Sequence, residues 1–175
     1  MALRGHPILH QLKFKDLTDN NMGIEKYVSS PHEIAWSQES VFTKLSNLKN
    51  LEQFVPSEKI EELNKKGIDS KGFKVDDFSA TEDRCSFTIS PVGNVGIGIV
   101  EREPYKSIKF QGEKSVPFPV TMWVQLVAID ENSCKIRLTL HAELNMMIKM
   151  MVASYLEKGI EKVAEMLSGI DYSPE

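Results

Sequence analysis

His141 and Glu143 have the residue types and spacing closest to a chemical site in this sequence. They lie two residues apart, so on a strand they project from one face and an imidazole and a carboxylate can lie side by side. Lys135, Arg137 and Thr139 share that parity, which makes it a polar face that we expect to contact solvent. No third ligand is evident, whereas zinc sites use at least three protein ligands. We therefore predict no catalytic residue, no metal site and no cofactor.

Tyr155 is the strongest polar candidate for orienting a bound molecule. It falls in the last helical segment, where its ring can line a hollow while its hydroxyl forms a hydrogen bond. Phe118 lies between two prolines in the loop 114–119, which joins two predicted strands. It is a candidate lid over the opening of such a hollow, although a plain proline-rich turn accounts for the same residues.

Gly93, Gly96 and Gly98 fall within one predicted strand. Glycine inside a strand marks a bulge, a sharp bend or a close backbone approach. A phosphate-binding loop is rejected, because the glycines are followed by more strand and not by a helix N-terminus. The pattern instead indicates a sheet that bends.

The C-terminal part of the chain carries the clearest structural pattern. Apolar residues at every second position predict a strand, and they run directly into apolar residues at helical spacing. The strand positions are Cys134, Ile136, Leu138, Leu140 and Ala142, and the helix positions are Ile148, Val152, Leu156, Ile160, Val163 and Leu167. A strand and a helix with one apolar face each predict a helix across a curved sheet, with room for a hollow between the two layers.

The residues before this unit predict an extended segment, short helices and a series of strands. The segment 24–34 is extended and interrupted near Pro31, because proline disfavours helix and restricts its predecessor. Ser37 caps one helix, and a further short helix covers 58–66. Six consecutive strands with short turns follow, which predicts an antiparallel meander with one buried face.

Composition excludes several classes of protein. The chain is 41% hydrophobic and 26% charged, which is ordinary for a globular domain. Its net charge of −4 provides no basic footprint for nucleic acid, and no apolar run reaches the length of about 18 residues that a membrane span needs. We expect a cytoplasmic protein with free thiols at Cys85 and Cys134, although facing strands leave a disulfide between them open.

We divide the chain into an N-terminal extension, 1–21, and a single domain, 22–175. The extension is either loosely attached and disordered or the product of an upstream start site. Alternatively, Leu9, Leu12 and Phe14 form a short piece that docks on a sheet edge or on a partner.

Several stretches resemble the SRPBCC superfamily, which includes START-like lipid-transfer domains, polyketide cyclase-like proteins and the birch-pollen allergen class. The stretches that carry the resemblance are 37–42, 45–51, 91–96, 100–104 and Leu144-Asn145. The resemblance implies an α+β helix-grip fold, in which a curved antiparallel sheet of about seven strands wraps around a long C-terminal helix, with short helices after the first strand. These are structural signatures and indicate the fold more than the activity.

By this resemblance the space between the sheet and the last helix would bind or carry a small hydrophobic ligand, such as a lipid or a polyketide-like molecule. The residues expected to line it are Phe87, Ile97, Met122, Val124, Leu138, Met151 and Tyr155. We expect neither nucleic acid nor stable membrane insertion, and the sequence indicates no particular protein partner. Two alternatives stay open: an enzyme of cyclase, dehydratase or hydrolase type, and an interaction module similar to chaperone-activating members of the superfamily.

Met146, Met147, Met150 and Met151 cluster at the start of the last helix. Unbranched thioethers adapt to irregular surfaces, which suits a pocket for variable ligands, a core that needs filling, or a docking surface. Because four methionines within six residues cannot share one helical stripe, some of them must face outward.

Overall fold

The computed structural model describes residues 22–53, 61, 74–90 and 93–174. The extension 1–21 and, apart from Glu61, the helix predicted over 58–66 lie outside these residues. The strands are β1 (Gly23–Val28), β2 (His32–Ile34), β3 (Lys74–Ala80), β4 (Arg84–Ser90), β5 (Gly93–Glu103), β6 (Ser107–Gly112), β7 (Val120–Asp130) and β8 (Ser133–Leu144). The helices are α1 (Gln38–Leu45), a 3₁₀ helix (Leu48–Gln53) and α2 (Met146–Ser168).

The described strands form one antiparallel sheet of eight strands in the order β1-β8-β7-β6-β5-β4-β3, with β2 also paired to β8. The predicted meander from β3 to β8 is confirmed, and the strand beyond the expected seven is the short β2. β1 and β2 both pair with β8, and only residues 29–31 interrupt the pairing between them. Ser29 bridges that break: its N–H donates to Leu138 O, and its hydroxyl accepts from Leu138 N, both at 2.9 Å.

The sheet bends through bulges and glycines. Its register shifts between Ile99 and Glu101 on β5, and a second shift lies at the end of β7. Gly93 has φ +105°, a conformation that side chains with a Cβ rarely adopt. A Cβ on Gly96 would lie 2.5 Å from the carboxylate of Glu113, which a hydrogen bond from the Arg84 guanidinium holds in place. Gly93 therefore fits the predicted backbone role, whereas at Gly96 the crowding comes from a side chain.

Helix α1 begins where the sequence predicts. The Ser37 hydroxyl accepts a hydrogen bond from Ser40 N at 3.1 Å, which satisfies one of the free N–H groups of the first turn. Val41, Phe42 and Leu45 are buried, because this face lies on β6, β7 and β8. The 3₁₀ helix continues over β3 and β4.

Helix α2 lies over β8, β1 and β2. Its N-cap is Asn145, whose side chain accepts from Ile148 N at 2.8 Å. The chain after α2 is fastened to the end of α2 by the buried Tyr172, whose hydroxyl donates to Leu167 O at 2.7 Å. It is fastened to α1 by Lys44 Nζ, which donates to Asp171 O at 3.0 Å. None of the helices in the described ranges has the length and apolar character that crossing a membrane requires.

Cys85 and Cys134 are both free and buried. Burial is the main cause that raises the pKa of the Cys85 thiol to about 11, with the Glu113 carboxylate adding to it. The expected free thiols are confirmed, and each packs as a small apolar side chain.

Candidate functional site

Burial changes from row to row across the concave face of the sheet. Leu138, Val124 and Ile108 pair across β8, β7 and β6, and none is more than 2% exposed. We call these three residues the closed row. The neighbouring row runs from β1 to β5, and four of its five members are half-buried, while Phe110 is buried. We call it the open row, and its members in order are Tyr27, Leu140, Met122, Phe110 and Ile99.

Burial also changes along the length of helix α2. In its second half, Ile160, Ala164 and Leu167 are buried. In its first half, residues 146–157, no side chain is buried, and even Val152 and Leu156 on the predicted apolar stripe are only half-buried. Because α1 and the second half of α2 cover the closed row, the neighbouring open row is left less covered, although Ala142 and Leu144 farther along β8 are again 0% and 2% exposed. The open row and the first half of α2 together form the candidate site, which we call the open end.

An ion pair joins the first half of α2 to the sheet. Lys149 Nζ lies 2.7 Å from Glu25 Oε1 on β1. The hydrogen bond and charge of Glu25 raise the pKa of Lys149. Both side chains are partly exposed, and exposed ion pairs contribute only about 0 to 1 kcal/mol. The first half of α2 is therefore held more weakly than the second half, which buries apolar side chains.

The predicted lining residues fall at different depths. Met122 and Ile97 are half-buried and pack against the core cluster, and Phe87 is half-buried opposite Val95. Val124 and Leu138 belong to the closed row at 2% and 0% exposure, so protein already covers them and they offer almost no free surface to a ligand. The lining set as a whole stays a prediction.

The predicted helix and lid residues are also spread apart. Tyr155 is half-buried, and Phe118 is half-buried in its loop. Met151 is 68% exposed, and the other three methionines at the start of α2 are 70–83% exposed. The sequence requires some of them to face outward; in the structure all four do.

His141 and Glu143 lie on the opposite, convex face. The His141 ring packs edge-on against Trp123 with centroids 4.8 Å apart, and Lys109 Nζ lies 5.5 Å from the centroid of the Trp123 ring. Glu143 is exposed. In the described ranges, no group of three or more side chains is arranged to hold a metal ion.

Sequence reasoning missed the polar residues of the open end. Tyr27 lies opposite Leu140, and Glu25 lies opposite Ala142, so both project from the concave face toward α2. A signal was present, since Glu25 and Tyr27 share one parity of the first strand. Assigning that parity to the concave face requires the pairing partner, however, and the partner lies more than 100 positions away along the chain.

Comparison with known proteins identifies the fold. No protein-family model and no curated protein matches the chain. Norcoclaurine synthase from Thalictrum flavum, solved with dopamine and hydroxybenzaldehyde, superposes with a TM-score of 0.60 at 13% identity, covering 96% of this chain and 93% of that one. A solution structure from Thermobifida fusca has a TM-score of 0.54 at 12% identity, covering 82% and 90%. XoxI from Bacillus cereus has a TM-score of 0.51 at 12% identity, covering 84% and 94%.

Likeness at this level of identity establishes architecture and not activity. The sheet order, the short helix after the first strands and the long last helix agree with these comparisons over most of the chain. The protein therefore has the helix-grip fold that its resemblance to the SRPBCC superfamily implied.

Proposed function

We propose that the protein binds a small hydrophobic molecule, lipid-like or polyketide-like, between the open row of the sheet and the first half of α2. The observation that carries this proposal is the step in burial between two neighbouring rows of one apolar face. Met122 and Leu140 are half-buried, whereas Val124 and Leu138, one row away on the same two strands, are 2% and 0% exposed.

Accessible apolar surface between two layers is costly for the protein alone. Removing apolar surface from water is worth about 25 cal/mol per Å². A ligand that covers the open row removes such surface from water, which favours its binding. Packing in protein interiors is normally dense, and the closed row shows that this fold can achieve it. A half-buried apolar row beside a fully buried one is therefore typical of a binding surface.

A structure with the same fold supports a small-molecule role. The Thalictrum flavum norcoclaurine synthase was solved with two small aromatic molecules, dopamine and hydroxybenzaldehyde. We transfer from it only the idea that this architecture can hold a small apolar or aromatic compound. We propose binding or transport of the ligand, and no reaction.

The test combines native mass spectrometry with fluorescence titration of N-phenyl-1-naphthylamine, an uncharged hydrophobic dye. We expect a co-purifying small molecule or, after delipidation, saturable dye binding. Met122→Trp should weaken dye binding about tenfold by filling the open end. Leu140→Phe, at the paired position on β8, should act in the same direction.

The matched control is Val127→Trp. Val127 lies on the same strand as Met122 but on the convex face, where it is 65% exposed, so the dye affinity should stay that of the unmodified protein. Circular dichroism checks that each variant is folded. Absence of both ligand and dye binding would overturn the proposal. So would full binding by folded Met122→Trp and Leu140→Phe, because the dye would then occupy another surface, such as the exposed methionines.

A further inference from the structure

Tyr27 places a single hydroxyl at the end of an otherwise apolar row. Residues directly opposite each other on neighbouring strands share a face. The pairing Tyr27 to Leu140, Leu140 to Met122, Met122 to Phe110 and Phe110 to Ile99 therefore defines one line across the concave face. A molecule lying along the open row would meet apolar side chains first and the Tyr27 phenol at the β1 edge.

The Tyr27 hydroxyl oxygen is buried and has no hydrogen-bond partner among the described residues. Buried polar groups almost always have a hydrogen-bond partner, and a buried polar group without one lowers the stability of the protein. Tyr172, which is also buried, follows that rule, since its hydroxyl donates to Leu167 O. The remaining buried oxygen without a partner in the described chain is Ser46 Oγ, which lies at the C-terminus of α1 and outside the open row.

The charges around Tyr27 determine whether a charged or a neutral ligand group fits beside its hydroxyl. Two carboxylates, Glu25 and Glu157, and one ammonium, Lys149, act on the phenol, and burial is the largest cause that raises its pKa. Lys149 is already paired with Glu25 at 2.7 Å. A ligand carboxylate here would meet a surplus of negative charge in a partly desolvated setting, whereas an uncharged oxygen would meet no such repulsion.

The oxygen is shielded from solvent in this conformation, so the ligand must displace the part of the protein that covers it. The first half of α2 is the element best suited to move, because it lies over β1 and contains no buried side chain. Segments with few buried apolar contacts open at lower free-energy cost than the core.

We propose that Tyr27 is the polar anchor of the ligand, donating its hydroxyl hydrogen to an uncharged oxygen, such as an alcohol, ketone or ester, at one end of an apolar molecule. This inference rests on the proposed function, since it names the class of ligand for the same open end. The apolar body lies along Leu140, Met122 and Ile99, and the neutral head group lies beside Tyr27.

The experiment compares three ten-carbon probes, 1-decanol, decanoate and 1-fluorodecane, by displacement of N-phenyl-1-naphthylamine from the full chain and from Tyr27→Phe. We expect decanol to bind the unmodified protein more tightly than decanoate at pH 7.5. Tyr27→Phe should lose about tenfold in decanol affinity, as expected for one buried hydrogen bond, and should bind 1-fluorodecane as before. Tyr105→Phe, which removes a hydroxyl bonded to Glu39 outside the open end, is the matched control and should not change decanol binding.

Thermal unfolding without ligand provides a second measurement. Tyr27→Phe removes a hydroxyl without a partner, so its melting temperature should equal or exceed that of the unmodified protein, whereas loss of a structural hydrogen bond would lower it. Unchanged decanol affinity in Tyr27→Phe, or tighter binding of decanoate than of decanol, would overturn the anchor while leaving the binding function intact. Failure of all three probes to displace the dye from the unmodified protein would instead count against the proposed function itself.

Discussion

Glu161 ties the second half of α2 to the chain between β1 and β2. One of its carboxylate oxygens accepts from Ser30 N at 2.7 Å, and the other accepts from His32 Nε2 at 2.8 Å. The Ser30 N–H is the largest cause that lowers the pKa of Glu161, and the His32 hydrogen bond follows. This contact helps to hold together the part of the fold around the closed row, away from the open row.

The Glu161 contact makes stability depend on pH in acid. A carboxyl whose pKa is lower in the folded state stabilises the fold above its ordinary pKa of 4.5, and that contribution is lost as the pH falls through the folded value. We expect Glu161→Gln to unfold at a lower temperature than the unmodified protein at pH 7, with the difference shrinking below pH 4.5. Differential scanning calorimetry from pH 7 to pH 3 measures it.

Glu165→Gln is the matched control, because Glu165 is exposed on the same helix. Its difference from the unmodified protein should be small at pH 7. A Glu161→Gln difference that stays constant from pH 7 to pH 3 would show that the carboxylate charge makes no contribution.

Helix α2 has a well-formed start even though its first half is exposed. Asn145 caps it through a hydrogen bond from Ile148 N, and the Lys149–Glu25 pair follows one turn later. With four exposed methionines and no buried side chain within residues 146–157, local capping carries a larger share of the stability of this half than tertiary packing does. The start of the helix therefore depends on contacts that the sequence encodes locally.

Asn145→Ala should lower the free energy of unfolding by about 1 kcal/mol, the usual cost of losing a helix cap. Asn145→Asp keeps a side-chain oxygen at the same place and should stay within about 0.5 kcal/mol of the unmodified protein. Urea unfolding followed by circular dichroism provides both values. Equal losses in the two variants would mean that the cap is not the source of the effect.

The whole molecule divides into a part around the closed row that provides stability and the less covered open end. Buried side chains of α1, the second half of α2 and the closed row form one cluster, and Met122 and Leu140 pack against it while staying half-buried. A ligand that binds the open end stabilises the folded state by mass action. Stability without ligand should therefore come mainly from the part around the closed row.

Two isoleucines on α2 test this division. Ile160→Ala, at a buried position, should cost about 2 to 5 kcal/mol. Ile148→Ala, at a half-buried position in the first half, should cost about 1 kcal/mol, because less surface is removed from contact. Urea unfolding of the delipidated variants measures both, and equal costs would contradict a weakly packed first half.

The alternation along β8 and the helical spacing from Ile148 to Leu167 depend on neighbours close in sequence, because backbone geometry places every second strand residue and every third or fourth helix residue on one face. The fold class, the Ser37 cap and the order of strands and last helix were therefore readable from the chain. How deeply each position is buried could not be read from the sequence. Val124 and Met122 share one parity of one strand, yet Val124 is 2% exposed and Met122 is half-buried.

That difference arises because α1 and the second half of α2 cover the closed row and leave the open row less covered. The rotation of α2 against the sheet likewise exposes Met151, and the pairing of β1 with β8 brings Tyr27 beneath the helix. Each of these outcomes depends on contacts between residues far apart in the chain, and a periodic pattern holds no information about which distant surface will cover it.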